Sequence, residues 1–212
     1  MTANLTHKDV DLMVTSILQA PTRPASTPDH SPVAGTGARR SSLLGALALV
    51  GLRLAIGFEF LWAFFDKLLG LGYATPSARA WVHGGSPTKG FLSGVSGGPL
   101  KGFFHSLIGV GAVDWLFMAG LLGIGAALVL GIALRPAAGA GGLLLVMMWL
   151  ATWPPAKLAS GQPSHSTNPF VDAHIVSTLA LIVIATCAAT SAGRLGRRWA
   201  GLPLVRKQPW LR

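Results

Sequence analysis

Arg53, Glu59, Lys67, Asp172 and His174 sit within or at the edges of long apolar runs. A charge in such a place is costly unless it is paired, hydrated or turned into a cavity. Arg53 and Glu59 are six positions apart, which on a helix is about 9 Å of rise and about 120° of rotation. A stretched arginine bridges that gap, or both groups line one water-filled cavity; a purely structural polar link is the competing reading. The imidazole of His174 suits proton transfer near neutral pH or a hydrogen bond to a carbonyl. Arg53, Glu59 and His174 are therefore the candidate catalytic residues. Lys67, Asp172 and Trp153 are the candidate substrate-binding residues, because chain order brings their segments to one side of a membrane. Each has a plainer explanation, Lys67 as a snorkelling anchor and Asp172 as an acid favoured by a helix dipole. Two positions on a helix are about 200° of rotation, so Asp172 and His174 are expected to diverge. No metal or haem is expected, since His174 is the only histidine within an apolar run and Cys187 is the only cysteine. Cys187 reads as a small packing residue.

The elements that must carry these residues follow from composition. The chain is 51% hydrophobic and only 11% charged, with a mean hydropathy of +0.54, so it is written for lipid as solvent. Its 27 glycines fit close helix contacts in a bilayer. The net charge of +10 does not indicate nucleic acid, because no basic stripe interleaves with aromatics.

Four segments are apolar enough to cross a bilayer, at residues 43–65, 114–134, 137–153 and 171–192. The expected fold is an all-α membrane protein, a four-transmembrane-helix bundle occupying residues 41–195. Residues 1–40, rich in Pro and Ser, read as a disordered cytoplasmic tail, and 196–212 as a basic cytoplasmic tail. Arg135-Pro136 reads as the end of the second span, and Asn168-Pro169 as the cap and first turn of the fourth. The positive-inside bias places both termini in the cytoplasm of a cell with this protein in its plasma membrane. The loop 68–113 then lies outside, with short interfacial helices expected around Ser77–His83 and Leu100–Ile108.

The run Arg53-x3-Gly57-x2-Phe60-x6-Lys67, with Asn168-Pro169-x2-Asp172-x-His174, resembles the DoxX family of small four-helix membrane proteins. The long first loop is similar to the branch with the DoxD-type subunit of thiosulfate:quinone oxidoreductase, and to actinobacterial DoxX-like proteins. The resemblance covers residues 43–212. It implies a membrane subunit of a quinone-linked redox system, thiosulfate- or sulfur-oxidising in type, with quinone as diffusible co-substrate and redox partner subunits beside the lipid bilayer. The family usually has a small residue three positions before the lysine, where this chain has Phe64. A lone cysteine also leaves no dithiol to accept sulfur or electrons. The alternative reading is a non-catalytic membrane scaffold or assembly protein.

Overall fold

The computed structural model describes residues 35–159, 162–164, 166, 168–188 and 193–211, and the chain is mostly helical. Its elements are α1 (Gly35–Leu69), α2 (Lys89–Ser93), α3 (Lys101–Ser106), α4 (Gly111–Leu130), α5 (Leu134–Thr152), α6 (Ala173–Thr186), α7 (Arg194–Gly201) and α8 (Pro203–Lys207). Three 3-10 turns lie at Ser77–Arg79, Trp81–His83 and Pro209–Leu211. One antiparallel ladder, two residues a side, pairs Leu158 with Pro163 and Ala159 with Gln162. Three helical stretches are long and apolar enough to cross a membrane: Ser42–Leu69, Gly111–Leu130 and Leu134–Thr152. α6 is apolar but shorter, at 14 residues.

Several boundaries differ from the sequence reading, each for a local reason. Residues 35–40, read as tail, already belong to α1, while the rest of that expected tail lies outside the described residues. The turn between α4 and α5 comes earlier than Arg135-Pro136. Gly131, at φ 72°, takes the left-handed conformation, and the N–H groups of Gly131 and Ile132 both reach the Ala127 carbonyl, closing α4 at Leu130. Pro136 then falls in the first turn of α5, where a missing N–H leaves no bond unmade. Asn168-Pro169 does not cap α6. The Asn168 carboxamide oxygen accepts from the N–H groups of Phe170 and Val171 in a turn, and Asp172 is the cap, accepting from Ile175 N at 3.2 Å. The segment expected as a basic tail is helical in α7 and α8, with Val205 buried and the Trp199 indole N–H donating to the Leu211 carbonyl at 2.8 Å.

The core is drawn from four helices at three- and four-residue spacing, as an apolar helix stripe requires: Ile56 and Phe60 of α1, Leu121, Ile124 and Leu128 of α4, Leu134, Ala138 and Leu145 of α5, and Leu181 and Ile184 of α6. Glycines set how closely these stripes approach. A methyl group on Gly141 would lie 2.9 Å from Leu181 Cδ1, 3.2 Å from Ile124 and 3.3 Å from Phe60, so one layer of α5 touches all three other helices. A methyl on Gly125 would meet the Leu61 backbone nitrogen at 2.9 Å and the Gly57 carbonyl at 3.0 Å. Backbone cannot yield as a side-chain tip can. Gly125→Ala is therefore expected to lower stability by about 1–3 kcal/mol, the usual cost of overpacking, seen as a drop in thermal midpoint of the detergent-solubilised protein. Ala at Gly120, which has nothing nearby, is the control and should leave the midpoint unchanged.

At the end of the helices where α1 stops and α4 starts, residues 70–110 fold as a cap. Two acids hold it. Asp66 is buried and accepts from Tyr73 N at 3.3 Å and Ala74 N at 3.2 Å. Asp114 is buried too, and one of its oxygens, Oδ1, accepts from Ser86 Oγ at 3.0 Å, Thr88 N at 3.0 Å and Thr88 Oγ1 at 2.6 Å. A second small core of Leu92, Val95, Phe104 and Ala151 joins the cap to α5. Short helices fall where the sequence placed them, as 3-10 turns at Ser77–Arg79 and Trp81–His83 and as α3 at Lys101–Ser106. Aromatic pairs gather at the same end: Trp62 with Tyr73, Trp81 with Trp115, and Trp149 with Trp153, at centroid distances of 5.1, 4.6 and 5.8 Å.

Candidate functional site

Just beneath this cap, α1, α4, α5 and α6 leave a cavity of about 120 Å³. Its polar lining is Glu59, Lys67 and His174; its apolar lining includes Phe60, Ala63, Phe117, Leu121, Leu144 and Met148. Residues 59–60, 63 and 67 fall on one stripe of α1, the periodicity that also brings Phe60 into the core. Phe117 and Leu121 on α4 follow the same rule.

Glu59 stands at the mouth of this cavity, exposed, and accepts a hydrogen bond from the buried Ser177 hydroxyl at 3.3 Å. Among the described residues it has no cation within ion-pair distance. Lys67 is half-buried, with its ammonium 6.0 Å from the centroid of the Phe117 ring, and it too makes no ion pair among the described residues. A carboxylate and an ammonium thus face one apolar chamber without neutralising each other. That arrangement leaves both free to act on something placed between them.

His174 completes the set through Asp172. Its Nδ1 lies 2.8 Å from Asp172 Oδ2, so the two side chains meet instead of diverging. The rotation of about 200° expected between them applies only to helical backbone. Asp172 is the N-cap, with extended φ −123° and ψ −173°, and that conformation folds its carboxylate back over the first turn. The bond to Asp172 engages Nδ1, and the His174 residue lines the cavity. A carboxylate-bound imidazole of this kind is held in one orientation, which is what proton exchange with a bound molecule needs. Asp172 is thus a positioning residue with a second task. Asp172→Ala is expected to cost about 0.5–2 kcal/mol through loss of the cap. Asp172→Asn should keep the cap, so a comparison of their thermal midpoints separates capping from the histidine contact.

Arg53 and Trp153 lie elsewhere. Arg53 is 5% exposed and packs its guanidinium over Gly131, at the C-terminal end of α4, away from the residues that line the cavity. Its Nε and Nη1 are buried with no hydrogen-bond partner among the described residues. The bridge to Glu59 allowed by the spacing is not made; Glu59 bonds to α6 instead. The position of Arg53 suits a cation set against the negative end of the α4 dipole. Trp153, left-handed at φ 45°, stacks edgewise on Trp149 and closes against Gly98 of the cap, where an added methyl would sit 3.0 Å from its Cβ. It does not line the cavity. Phe64 is also outside the lining, so the bulky residue there faces Phe65 rather than the chamber.

Ser177, which bonds to Glu59, and the lining residues Phe117, Leu121, Leu144 and Met148 carry no chemical mark of their own, and only helix periodicity would have selected them. The shared face of Glu59 and Lys67 follows from the helical stripe 60, 63 and 67 of α1.

Comparison with known protein families, with curated proteins and with solved structures gives no match. A functional reading of this chain therefore rests on its residues and their geometry.

Proposed function

We propose that this chain is a DoxX-like integral membrane subunit of a quinone-linked redox system, a four-helix bundle in the plasma membrane with both termini cytoplasmic. The observation that supports the reading is the convergence of Glu59, Lys67 and His174 on one otherwise apolar cavity. A quinone head is a flat, neutral, apolar ring with two carbonyl acceptors. Lys67 and His174 supply donors for those carbonyls, and the surrounding Phe60, Phe117 and Leu121 supply apolar contact for the ring. Reduction of a quinone takes two electrons and two protons. In this reading the electrons come from a redox partner subunit, while Glu59 and the Asp172-oriented His174 exchange the protons. Sulfur or thiosulfate chemistry would belong to that partner, since this chain has a single cysteine.

The placement of Arg53 favours a structural task for that residue, in keeping with the scaffold alternative for that part of the molecule only. The test is purification in native lipids followed by mass spectrometry of the bound small molecules. Wild-type protein should retain quinone, and Glu59→Gln with His174→Ala should retain little. Equal retention by both, or none by wild type at saturating quinone, would remove the redox reading and leave the scaffold.

A further inference from the structure

A second cavity, of about 240 Å³, lies beside the first, between the cap and the outer faces of α4 and α5. Phe91, Phe104, Leu107, Val113 and Met147 line it, and it shares Phe117, Leu144 and Met148 with the polar cavity. The chamber with three ionisable groups therefore adjoins a chamber with none, and the two meet at these three residues. Among the described residues Thr88 is the only polar one lining the larger chamber, and both its N–H and its hydroxyl are committed to Asp114, at 3.0 and 2.6 Å. The larger cavity thus presents no free donor and can reward only apolar contact. Methionine side chains at the junction, Met147 and Met148, adapt their shape to an irregular chain.

We propose that this cavity holds the isoprenoid tail of the quinone whose head occupies the chamber of Glu59, Lys67 and His174. The inference rests on the functional reading above and adds a binding subsite to it. Juxtaposition of the two cavities calls for one amphiphile, polar at one end and apolar along the other. Glu59 and Lys67 together bring the formal charge of the head chamber to zero, which a neutral ring matches better than an anionic phosphodiester does. A tail seated here would also order Phe117, which belongs to both cavities and lies over Lys67.

The experiment uses full-length protein in lipid nanodiscs with two photoreactive isoprenoid quinones, one labelled on the ring and one on the tail. Peptide mapping should find the ring label on the segment carrying His174 and the tail label on peptides carrying Phe91, Leu107 or Met147. Both labels should be competed by unlabelled long-tailed quinone. Val113→Trp, which fills the cavity, should cut tail labelling about tenfold while ring labelling persists. Ring label at His174 with tail label elsewhere would overturn the tail site and leave the functional reading standing. Absence of competed label at His174 would overturn both. A phospholipid with a photoreactive acyl chain that labels the same peptides undiminished by excess quinone would assign the cavity to bulk lipid and also overturn the inference.

Discussion

Asp114→Leu should unfasten the cap from α4, with a loss on the order of 3–5 kcal/mol and rapid proteolysis between residues 70 and 110. Three donors, the Ser86 hydroxyl and the N–H and hydroxyl of Thr88, converge on the single oxygen Oδ1. Thr88 is 6% exposed, so water cannot replace the lost acceptor for either of its groups. The cost is the desolvation of stranded donors rather than the sum of three ordinary bonds, and leucine at this place can recover none of it. Asp114→Asn provides the sharp comparison. Its one carbonyl oxygen can occupy the Oδ1 position and keep all three bonds, losing only the reinforcement from charge, so a loss of about 1 kcal/mol is expected. Limited proteolysis and thermal unfolding of both variants in detergent check this, and equal losses for Leu and Asn would refute the geometry at Oδ1.

Under the proposed function, Lys67→Met should weaken quinone binding about 10–100-fold, the equivalent of one hydrogen bond from a charged donor. Stability should not fall with it. Lys67 makes no ion pair among the described residues and its environment is the apolar stripe of Phe60, Ala63 and Phe117, which methionine fits by volume. Burial of the ammonium is a cost to folding that the substitution removes, and this offsets the lost attraction to the neighbouring buried carboxylate of Asp66. Binding therefore falls while stability holds, which a merely structural lysine does not produce. Titration of a fluorescent or spin-labelled quinone, paired with a thermal melt, reads both. Loss of stability with unchanged binding would place Lys67 in the scaffold.

Much of the architecture was legible because lipid imposes a simple grammar on sequence. Long apolar runs located α1, α4 and α5, and the alternation of aromatics with Gly, Pro and Ser located the capping turns at Ser77–His83 and α3 at Lys101–Ser106. What escaped depended on single backbone angles. Gly131, sharing the Ala127 carbonyl with Ile132, ended α4 four residues before Leu134, because a left-handed glycine outranks a following Arg-Pro as a stop signal. The extended φ and ψ of Asp172 reversed the expected separation from His174. Asn168, a good cap by type, spent its oxygen on a local turn, and nothing in its neighbours distinguished those two uses. Of the residues singled out by type, Glu59, Lys67 and His174 line one cavity and Asp172 bonds to His174, while Arg53 and Trp153 lie elsewhere. A charged or aromatic side chain announces that it needs accommodation, not where it is found.

The glycine at position 141 divides the molecule mechanically. At its level Phe60, Ile124 and Leu181 close to within 3.3 Å of where a methyl would stand, so α5 has no room to slide or roll there. Toward the cap, by contrast, a cavity of about 120 Å³ lies between the same helices and one of about 240 Å³ between the cap and α4 and α5. Close-packed regions have low compressibility, and void volume is what pressure removes first. The helical core at Gly141 is therefore expected to act as a stiff fulcrum, with hydrostatic compression concentrated at the capped end.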